Sequence, residues 1–185
     1  MPRATVADLA AARRVLVYGV TGSGKSTAAL ALGERLGLPV HLVDEEIGWL
    51  PGWRQRDGDE QRALAARIVA REDWVLDSAY GTFRDVVVPR AQVVLGLDYP
   101  RWLSLGRLVR RTARRWATRE RVCNGNVETL GKVLSHDSVL VWHVRSYRRK
   151  TEQIRGWAAG TDGVPVLVVR HPRELERVLR ELSAG

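Results

Sequence analysis

The chain has 185 residues, of which 45% are hydrophobic and 28% charged, and its net charge is +9. This length and balance are typical of one globular domain with its own core, here 1–185. No apolar run approaches the ~20 residues that a membrane-spanning helix needs, so a membrane protein is not expected. A single cysteine, Cys123, excludes an internal disulfide. With no recognisable signal peptide, the sequence favours the cytoplasm.

Short apolar runs alternate with helical patterns along the chain. After a short helix or frayed lead-in at 1–13, strands are predicted at 14–19, 38–44, 73–77, 91–98 and 164–169. Helices are predicted up to residue 36, at 58–72, 101–116 and 137–158, and from Pro172 onwards. Residues 47–57, 78–90 and 117–135 are expected to be irregular. Strands that are apolar throughout have both faces covered. The alternation therefore predicts an α/β fold with a doubly wound, five-stranded parallel sheet.

The segment from Gly19 to Thr27 carries the pattern Gly-x4-Gly-Lys-Ser/Thr between a predicted strand and a predicted helix. Glycines let successive amides face one anion, and the helix N-terminus adds partial positive charge. Lys25 can reach the β- and γ-phosphates of a nucleotide, and the Ser26 hydroxyl can bind Mg²⁺. The predicted nucleotide-binding residues are Gly19, Thr21, Gly22, Ser23, Gly24, Lys25, Ser26 and Thr27.

Three predicted strands end in an aspartate, at Asp44, Asp77 and Asp98, and ligands gather at the carboxyl ends of parallel strands. Asp77 is expected to hold Mg²⁺ together with Ser26, although a helix cap or a structural partner of the loop would look the same in sequence. Asp44 could orient or deprotonate an acceptor hydroxyl. The alternative for Asp44 is a solvated acidic turn.

Arginines are concentrated in 101–121 and 145–149. In the first stretch Arg107, Arg111, Arg114 and Arg115 share one helical face. Planar guanidinium groups stabilise the charge of a transferring phosphoryl group, so these stretches predict an Arg-rich helical lid at about 112–140. A solvated basic face or a nucleic-acid surface is the alternative.

Aromatic residues follow the predicted second strand. Trp49 and Trp53, next to Arg54, could sandwich a planar substrate or close a hydrophobic flap. Trp74, Trp102, Trp142 and Trp157 are instead expected to pack in the interior, and His136 and His143 to be structural or surface groups. The predicted acceptor-binding residues are Asp44, Trp49, Trp53, Arg54, Tyr80 and Arg84.

Several segments together carry a family resemblance. They are Asp44, Trp49–Trp53, Asp73–Asp77 with Tyr80, Leu97–Arg101, and Cys123–Thr129 followed by Asp137 and Ser138. With the glycine loop, and over roughly 14–182, they resemble the adenylate kinase-like branch of P-loop proteins. Within that branch the chain is most similar to the bacterial topology modulation proteins, or adenylate kinase-like ATPases.

The resemblance implies use of ATP with Mg²⁺. It implies that Arg107 and Arg111, seven and eleven residues after Pro100, contact ATP phosphates, and that Arg145 or Arg149 matches an arginine after the lid. The turn near His171 and Pro172 would approach the adenine. In adenylate kinases a glycine usually follows the acid of the third strand, whereas Ser78 follows Asp77 here. The AMP-site pattern is not recognisable, so AMP is not implied as the acceptor.

We therefore expect an ATP- and Mg²⁺-dependent phosphotransferase, a P-loop kinase, whose acceptor is a nucleoside, a nucleotide or another hydroxylated metabolite. It would be a monomer or homodimer. The predicted catalytic residues are Lys25, Asp44, Arg107 and Arg111, and the lid arginines are Arg114, Arg115, Arg145 and Arg149. One alternative is a nucleic-acid-binding ATPase that affects DNA topology or expression, which the charge of +9 favours. Another is a nucleotide-binding regulatory module with little turnover.

Overall fold

Five parallel strands form the centre of the protein, in the order β2 (Val40–His41), β5 (Trp74–Leu76), β1 (Arg14–Gly19), β6 (Val93–Leu97) and β9 (Val166–Val169). The computed structural model describes residues 3–119, 121–127, 138–160 and 163–183. The strands are β1 (Arg14–Gly19), β2 (Val40–His41), β3 (Trp49–Leu50), β4 (Arg54–Gln55), β5 (Trp74–Leu76), β6 (Val93–Leu97), β7 (Arg121–Val122), β8 (Asn126–Val127) and β9 (Val166–Val169). The pairs β3–β4 and β7–β8 form two separate antiparallel hairpins. The order and direction of the five central strands confirm the predicted α/β fold.

Helices cover both faces of this sheet. They are α1 (Val6–Ala11), α2 (Lys25–Leu36), α3 (Gly58–Val69), α4 (Arg84–Val87), α5 (Arg101–Thr118), α6 (Val139–Ala158) and α7 (Pro172–Ser183). Alternate side chains of β1 enter two different cores, since Leu16 and Tyr18 pack on one face and Val15 and Val17 on the other. This period of two, with both faces buried, is what a doubly wound sheet requires. None of the described helices is long and apolar enough to cross a bilayer.

The second central strand is shorter than expected. It ends at His41, and a π-helical turn, Asp44–Gly48, occupies the end of the segment predicted as strand. Two carboxylates explain this, because Asp77 Oδ1 accepts the Val43 N–H at 2.8 Å and Glu46 Oε1 accepts the Leu42 N–H at 3.2 Å. These amides are therefore used by side chains and cannot continue the ladder. Asp44 consequently opens a turn instead of closing a strand.

The segments expected to be irregular contain regular pieces. The hairpin β3–β4 lies within 47–57, and α4 with a 3-10 turn, Val88–Arg90, lies within 78–90. The hairpin β7–β8 lies in the segment that was expected to be irregular after α5. His136, residues 128–129 and Asp137 lie outside the described residues. The limits of the lid at about 112–140 stay a prediction.

Two of the four tryptophans expected in the interior are on the surface. Trp74 and Trp157 are 0% and 3% exposed, whereas Trp102 and Trp142 are 72% and 49% exposed. The prediction for the second pair is wrong because the buried stripe of α5 runs through Ser104, Leu108 and Thr112, and Trp102 does not belong to it. Trp142 lies beside Arg149, whose guanidinium carbon is 5.7 Å from the centre of the indole ring.

Candidate active site

The glycine loop joins β1 to α2 and packs closely against α5. Gly22 and Gly24 have φ angles of 84° and 89°, which side chains rarely adopt. A Cβ atom on Gly22 would lie 2.4 Å from the carbonyl oxygen of Ser104, so only glycine fits between the loop and α5. The Ser23 hydroxyl donates to the Val20 carbonyl at 2.8 Å and helps to hold this shape.

Lys25 is half-buried at the start of α2 and donates to the Val20 carbonyl at 3.1 Å. Burial lowers the pKa of this lysine, and the nearby charge of Arg111 acts in the same direction, while Asp77 and Asp44 oppose them. An ammonium group that is desolvated and held near other cations favours the approach of an anion. Its surroundings therefore suit the phosphates of a nucleotide.

Ser26 and Asp77 meet at the carboxyl ends of the neighbouring strands β1 and β5. The Ser26 hydroxyl donates to Asp77 Oδ2 at 2.6 Å. Burial raises the pKa of Asp77, while the hydrogen bonds from Ser26 and Val43 and the charge of Lys25 act against that rise. A hydroxyl and a carboxylate oxygen are ligands that suit Mg²⁺.

The rest of such a magnesium shell would come from phosphate and water oxygens. The described part of the chain has no group of three or more His, Cys, Asp or Glu side chains placed to hold a metal. Mg²⁺ commonly binds through one or two protein groups together with substrate phosphates. The Ser26–Asp77 pair therefore fits this ion when a nucleotide lies in the loop.

Asp44 is exposed at the start of the π-helical turn and is oriented by Tyr80. The Tyr80 hydroxyl donates to Asp44 Oδ1. Burial raises the pKa of Tyr80, and the negative charges of Asp44 and Asp77 raise it further, so the tyrosine keeps its proton. A Cβ atom on Gly48 would lie 2.6 Å from the Tyr80 hydroxyl oxygen. Gly48 thus makes room for the hydroxyl that positions Asp44.

The hairpin β7–β8 is bound to the segment 49–56, which we call the flap. Asn124 Nδ2 donates to the carbonyl oxygens of Glu45 and Trp49, both at 2.7 Å. Asn126 accepts from the Trp53 N–H at 2.8 Å and donates to the Leu50 carbonyl at 3.1 Å. In these four hydrogen bonds the partners of the two asparagines are main-chain atoms of the π-helical turn and the flap. The bonds hold the hairpin beside Asp44.

Within the flap, Trp49 and Trp53 pack on each other. Their ring centres are 5.8 Å apart and the rings are inclined by 80°, an edge-to-face arrangement. Both indoles are half-buried. This geometry suits a closing flap, since the two rings do not lie parallel as a sandwich would require. Arg54 lies exposed on β4.

Arginines of α5 face the glycine loop. Arg107 Nη2 would be 3.5 Å from a Cβ atom on Gly24. Arg111 lies close enough to Lys25 to lower its pKa. Burial raises the pKa of the Cys123 thiol to about 11, and the charge of Arg115 opposes that rise. Arg114 is exposed on the same helix.

The arginines of α6 are placed differently. Arg145 lines an exposed groove of about 310 Å³ between α5 and α6, with Leu105, Val109, Leu140, Val141 and Val144. Arg149 is exposed and packs on Trp142. The structure does not bring Arg145 into contact with the glycine loop, and a lid function for Arg145 and Arg149 stays a prediction.

Two residues of α6 that were not predicted as site residues do contact the loop region. His143 Nδ1 lies 2.9 Å from the Thr21 carbonyl oxygen, and Lys150 Nζ lies 3.5 Å from that of Gly19. Both fall at helical spacing with the buried Ile154 and Trp157. The helical spacing alone would have predicted that both side chains lie on the inward face of α6, but not that they contact the loop.

Comparisons with known proteins identify the fold of the chain but no family to which it belongs. No family model matches the chain, and no curated protein does. Solved structures do match. A shikimate kinase from Acinetobacter baumannii is 15% identical over 97% of this chain and 96% of that one, with a TM-score of 0.58. A gluconokinase from Sinorhizobium meliloti 1021 is 21% identical over 93% and 90%, with a TM-score of 0.54.

A deoxyadenosine kinase from M. mycoides is 12% identical over 92% of this chain and 96% of that one, with a TM-score of 0.50. At these identities the likeness concerns the fold alone. A closer relation to topology modulation proteins stays a prediction. The strand order, the glycine loop and these structures agree that the chain has the fold of the P-loop small-molecule kinases.

Proposed function

We propose that the protein is an ATP- and Mg²⁺-dependent phosphotransferase that acts on a small hydroxylated molecule. The observation that carries the proposal is that two carboxylates near Lys25 have different partners. Asp77 accepts from the Ser26 hydroxyl at 2.6 Å, whereas Asp44 accepts from Tyr80. The first arrangement suits a metal ion and the second suits an acceptor hydroxyl.

On the donor side, the loop amides and Lys25 bind the phosphates of ATP. Mg²⁺, held by Ser26 and Asp77, would neutralise charge on the phosphate oxygens when it is bound. Arg107 and Arg111 lie on the face of α5 that covers the loop and would stabilise the transferring group. Catalysis on this side consists of positioning and electrostatic stabilisation.

On the acceptor side, Asp44 orients the hydroxyl and receives its proton as the phosphoryl group is transferred. Tyr80 fixes the carboxylate and keeps its own proton. The flap, bound to the hairpin β7–β8 through Asn124 and Asn126, excludes water from this side. Exclusion of water favours transfer to the acceptor over hydrolysis of ATP.

The test is ADP release from Mg-ATP against a panel of nucleosides, nucleotides, hydroxylated metabolites and duplex DNA. One small molecule should stimulate release, and Lys25→Ala should abolish the stimulation. Asp44→Asn should bind ATP normally and lose transfer, while Glu45→Gln, which changes the adjacent exposed carboxylate, should retain it. Normal transfer by Asp44→Asn would remove Asp44 from the mechanism.

The net charge of +9 keeps a nucleic-acid-binding ATPase as a second candidate. That function predicts stimulation by DNA alone, lost steeply as salt is raised. A regulatory module predicts nucleotide binding without stimulation by any member of the panel. Each of these results would replace the kinase proposal.

A further inference from the structure

We propose that Arg84 and Lys150 form an anion-binding subsite, so that the acceptor carries a carboxylate or phosphate group besides its hydroxyl. This inference rests on the proposed function and specifies the class of its acceptor. The two cations come from different elements, α4 and α6, and both lie against Tyr18 at the end of β1.

The geometry around Tyr18 brings the two cations together. Lys150 Nζ lies 5.7 Å from the centre of the Tyr18 ring, and Arg84 Nη1 lies 3.5 Å from its hydroxyl oxygen. Tyr18 belongs to the core on the face of the sheet that Tyr80 also contacts. The subsite is therefore on the same face as the tyrosine that orients Asp44.

Neither cation forms an ion pair in the described residues. Both side chains are half-buried, yet no carboxylate lies within ion-pair distance of either, and each has one hydrogen bond, at 3.5 Å. Exposed arginines elsewhere do have such partners, as in Arg62 with Asp85 at 2.6 Å and Arg148 with Glu152 at 2.7 Å. Partial burial of unpaired charge is unfavourable unless a ligand supplies the opposite charge.

Cations other than Arg84 and Lys150 are available to bind the phosphates of ATP. Arg107 lies over Gly24, and Arg111 acts on Lys25, so the α5 side of the loop is supplied with positive charge. Arg84 approaches from α4, next to the core that contains Phe83 and Tyr80. The position of Arg84 favours a group on the acceptor over a second contact to ATP.

The electrostatic surroundings of Lys150 also favour the binding of an anion. Burial, the charge of Lys25 and the smaller effects of Arg149 and Arg84 together lower the pKa of Lys150 to about 7, against the opposing charge of Asp44. An anion held by Lys150 requires the protonated amine. Its binding should therefore tighten as the pH falls through about 7 and weaken as the pH rises above it.

The test is calorimetric titration of the Mg-ADP-bound protein with matched pairs of probes. Gluconate is compared with glucitol, and glycerol phosphate with glycerol, so that each pair differs in one anionic group. We expect the anionic member to bind roughly tenfold or more tightly than the neutral one. The pair that shows the larger difference identifies carboxylate or phosphate as the preferred group.

Variants then assign the effect to the two cations. Arg84→Gln and Lys150→Met should each weaken anion binding roughly tenfold, and Lys150→Arg should restore part of it. Arg148→Gln is the matched control, since Arg148 is on the same helix, 90% exposed and paired with Glu152. Mg-ADP affinity and the unfolding midpoint are measured for every variant.

Three results of the binding measurements would overturn the inference. The first is that both variants bind the anionic probes as tightly as the unchanged protein does. The second is that neutral and anionic probes bind equally, or that neither binds at tens of millimolar. The third is that each variant loses Mg-ADP affinity by the same factor as anion affinity. Transfer to a neutral acceptor with unaltered kinetics in both variants would overturn the subsite and leave the kinase standing. If both variants lose anion binding but the unchanged protein transfers phosphate to no acceptor, the result would support the subsite and contradict the kinase function.

Discussion

His143, fully buried on α6, holds its Nδ1 atom 2.9 Å from the carbonyl oxygen of Thr21 in the glycine loop. Because a carbonyl can only accept, Nδ1 carries the proton of this bond. Burial lowers the pKa of His143, and the charges of Arg101, Lys25 and Lys150 act in the same direction, while the bond to Thr21 opposes them. The imidazole is therefore neutral at physiological pH and joins α6 to the loop.

The first prediction concerns acid stability. Because the folded-state pKa of His143 lies below its ordinary value of 6.5, the unfolded chain binds more protons below that pH. The protein should lose stability as the pH falls below about 6.5, and His143→Gln should lose less. The measurement is urea unfolding at pH 7.5 and 5.5. A slope in His143→Gln equal to that of the unchanged protein would contradict this.

The second prediction concerns the metal. Asp77→Asn keeps the shape of the side chain but removes the charge that would hold Mg²⁺, so turnover should fall about 100-fold or more. Binding of Mg-free ADP should be preserved, while the gain in nucleotide affinity on adding Mg²⁺ should disappear. Asp73→Asn, just before β5 and paired with Arg13 at 2.8 Å, is the control. A normal response to Mg²⁺ in Asp77→Asn would exclude this carboxylate as the ligand.

The third prediction concerns the room that Gly48 leaves for Tyr80. An alanine there would place its Cβ 2.6 Å from the Tyr80 hydroxyl oxygen, so the hydroxyl must move away from Asp44. We expect transfer to fall roughly tenfold in Gly48→Ala and in Tyr80→Phe, since each loses about one hydrogen bond to a charged group. Nucleotide affinity should not change. In Gly81→Ala the added methyl meets nothing within 4 Å, so full activity is expected there.

The fourth prediction concerns the asparagines of the hairpin. Asn126 is buried, and its replacement by alanine leaves the Trp53 N–H and the Leu50 carbonyl without this partner. We expect Asn126→Ala to lower stability by about 1–2 kcal/mol and to raise the KM for the acceptor more than that for ATP. Limited proteolysis should cut faster within the flap. Gln55→Ala, an exposed change on β4, should have none of these effects.

The sequence predicted the glycine loop and the five-stranded sheet because their patterns are local. The loop is one run of consecutive residues, and each central strand is a short apolar run. Placing Asp77 at a strand end was enough to expect it near Ser26, because the carboxyl ends of parallel strands lie at one edge of the sheet. The two side chains are indeed hydrogen-bonded, although their role in metal binding stays a prediction.

Contacts between distant segments could not be predicted in the same way. The contacts of His143 and Lys150 with the loop depend on the packing of α6 against β1, which periodicity does not specify beyond an inward face. Hydrophobicity alone did not distinguish the exposed Trp102 from the buried Trp74. The bonds of Asn124 to Glu45 and Trp49 join residues 79 and 75 positions apart, and no local pattern indicates them.

The hairpin β7–β8 is hydrogen-bonded to the main chain of the turn and flap. Asn124 and Asn126 bond main-chain atoms of Glu45, Trp49, Leu50 and Trp53, so closure does not depend on which side chains those positions carry. Under the proposed function, mutations that alter Trp49, Trp53 or Arg54 would therefore reshape the proposed acceptor site while these hydrogen bonds persist. Under that proposal specificity can diverge by single substitutions, and the flap is the segment to randomise when a new acceptor is selected in the laboratory.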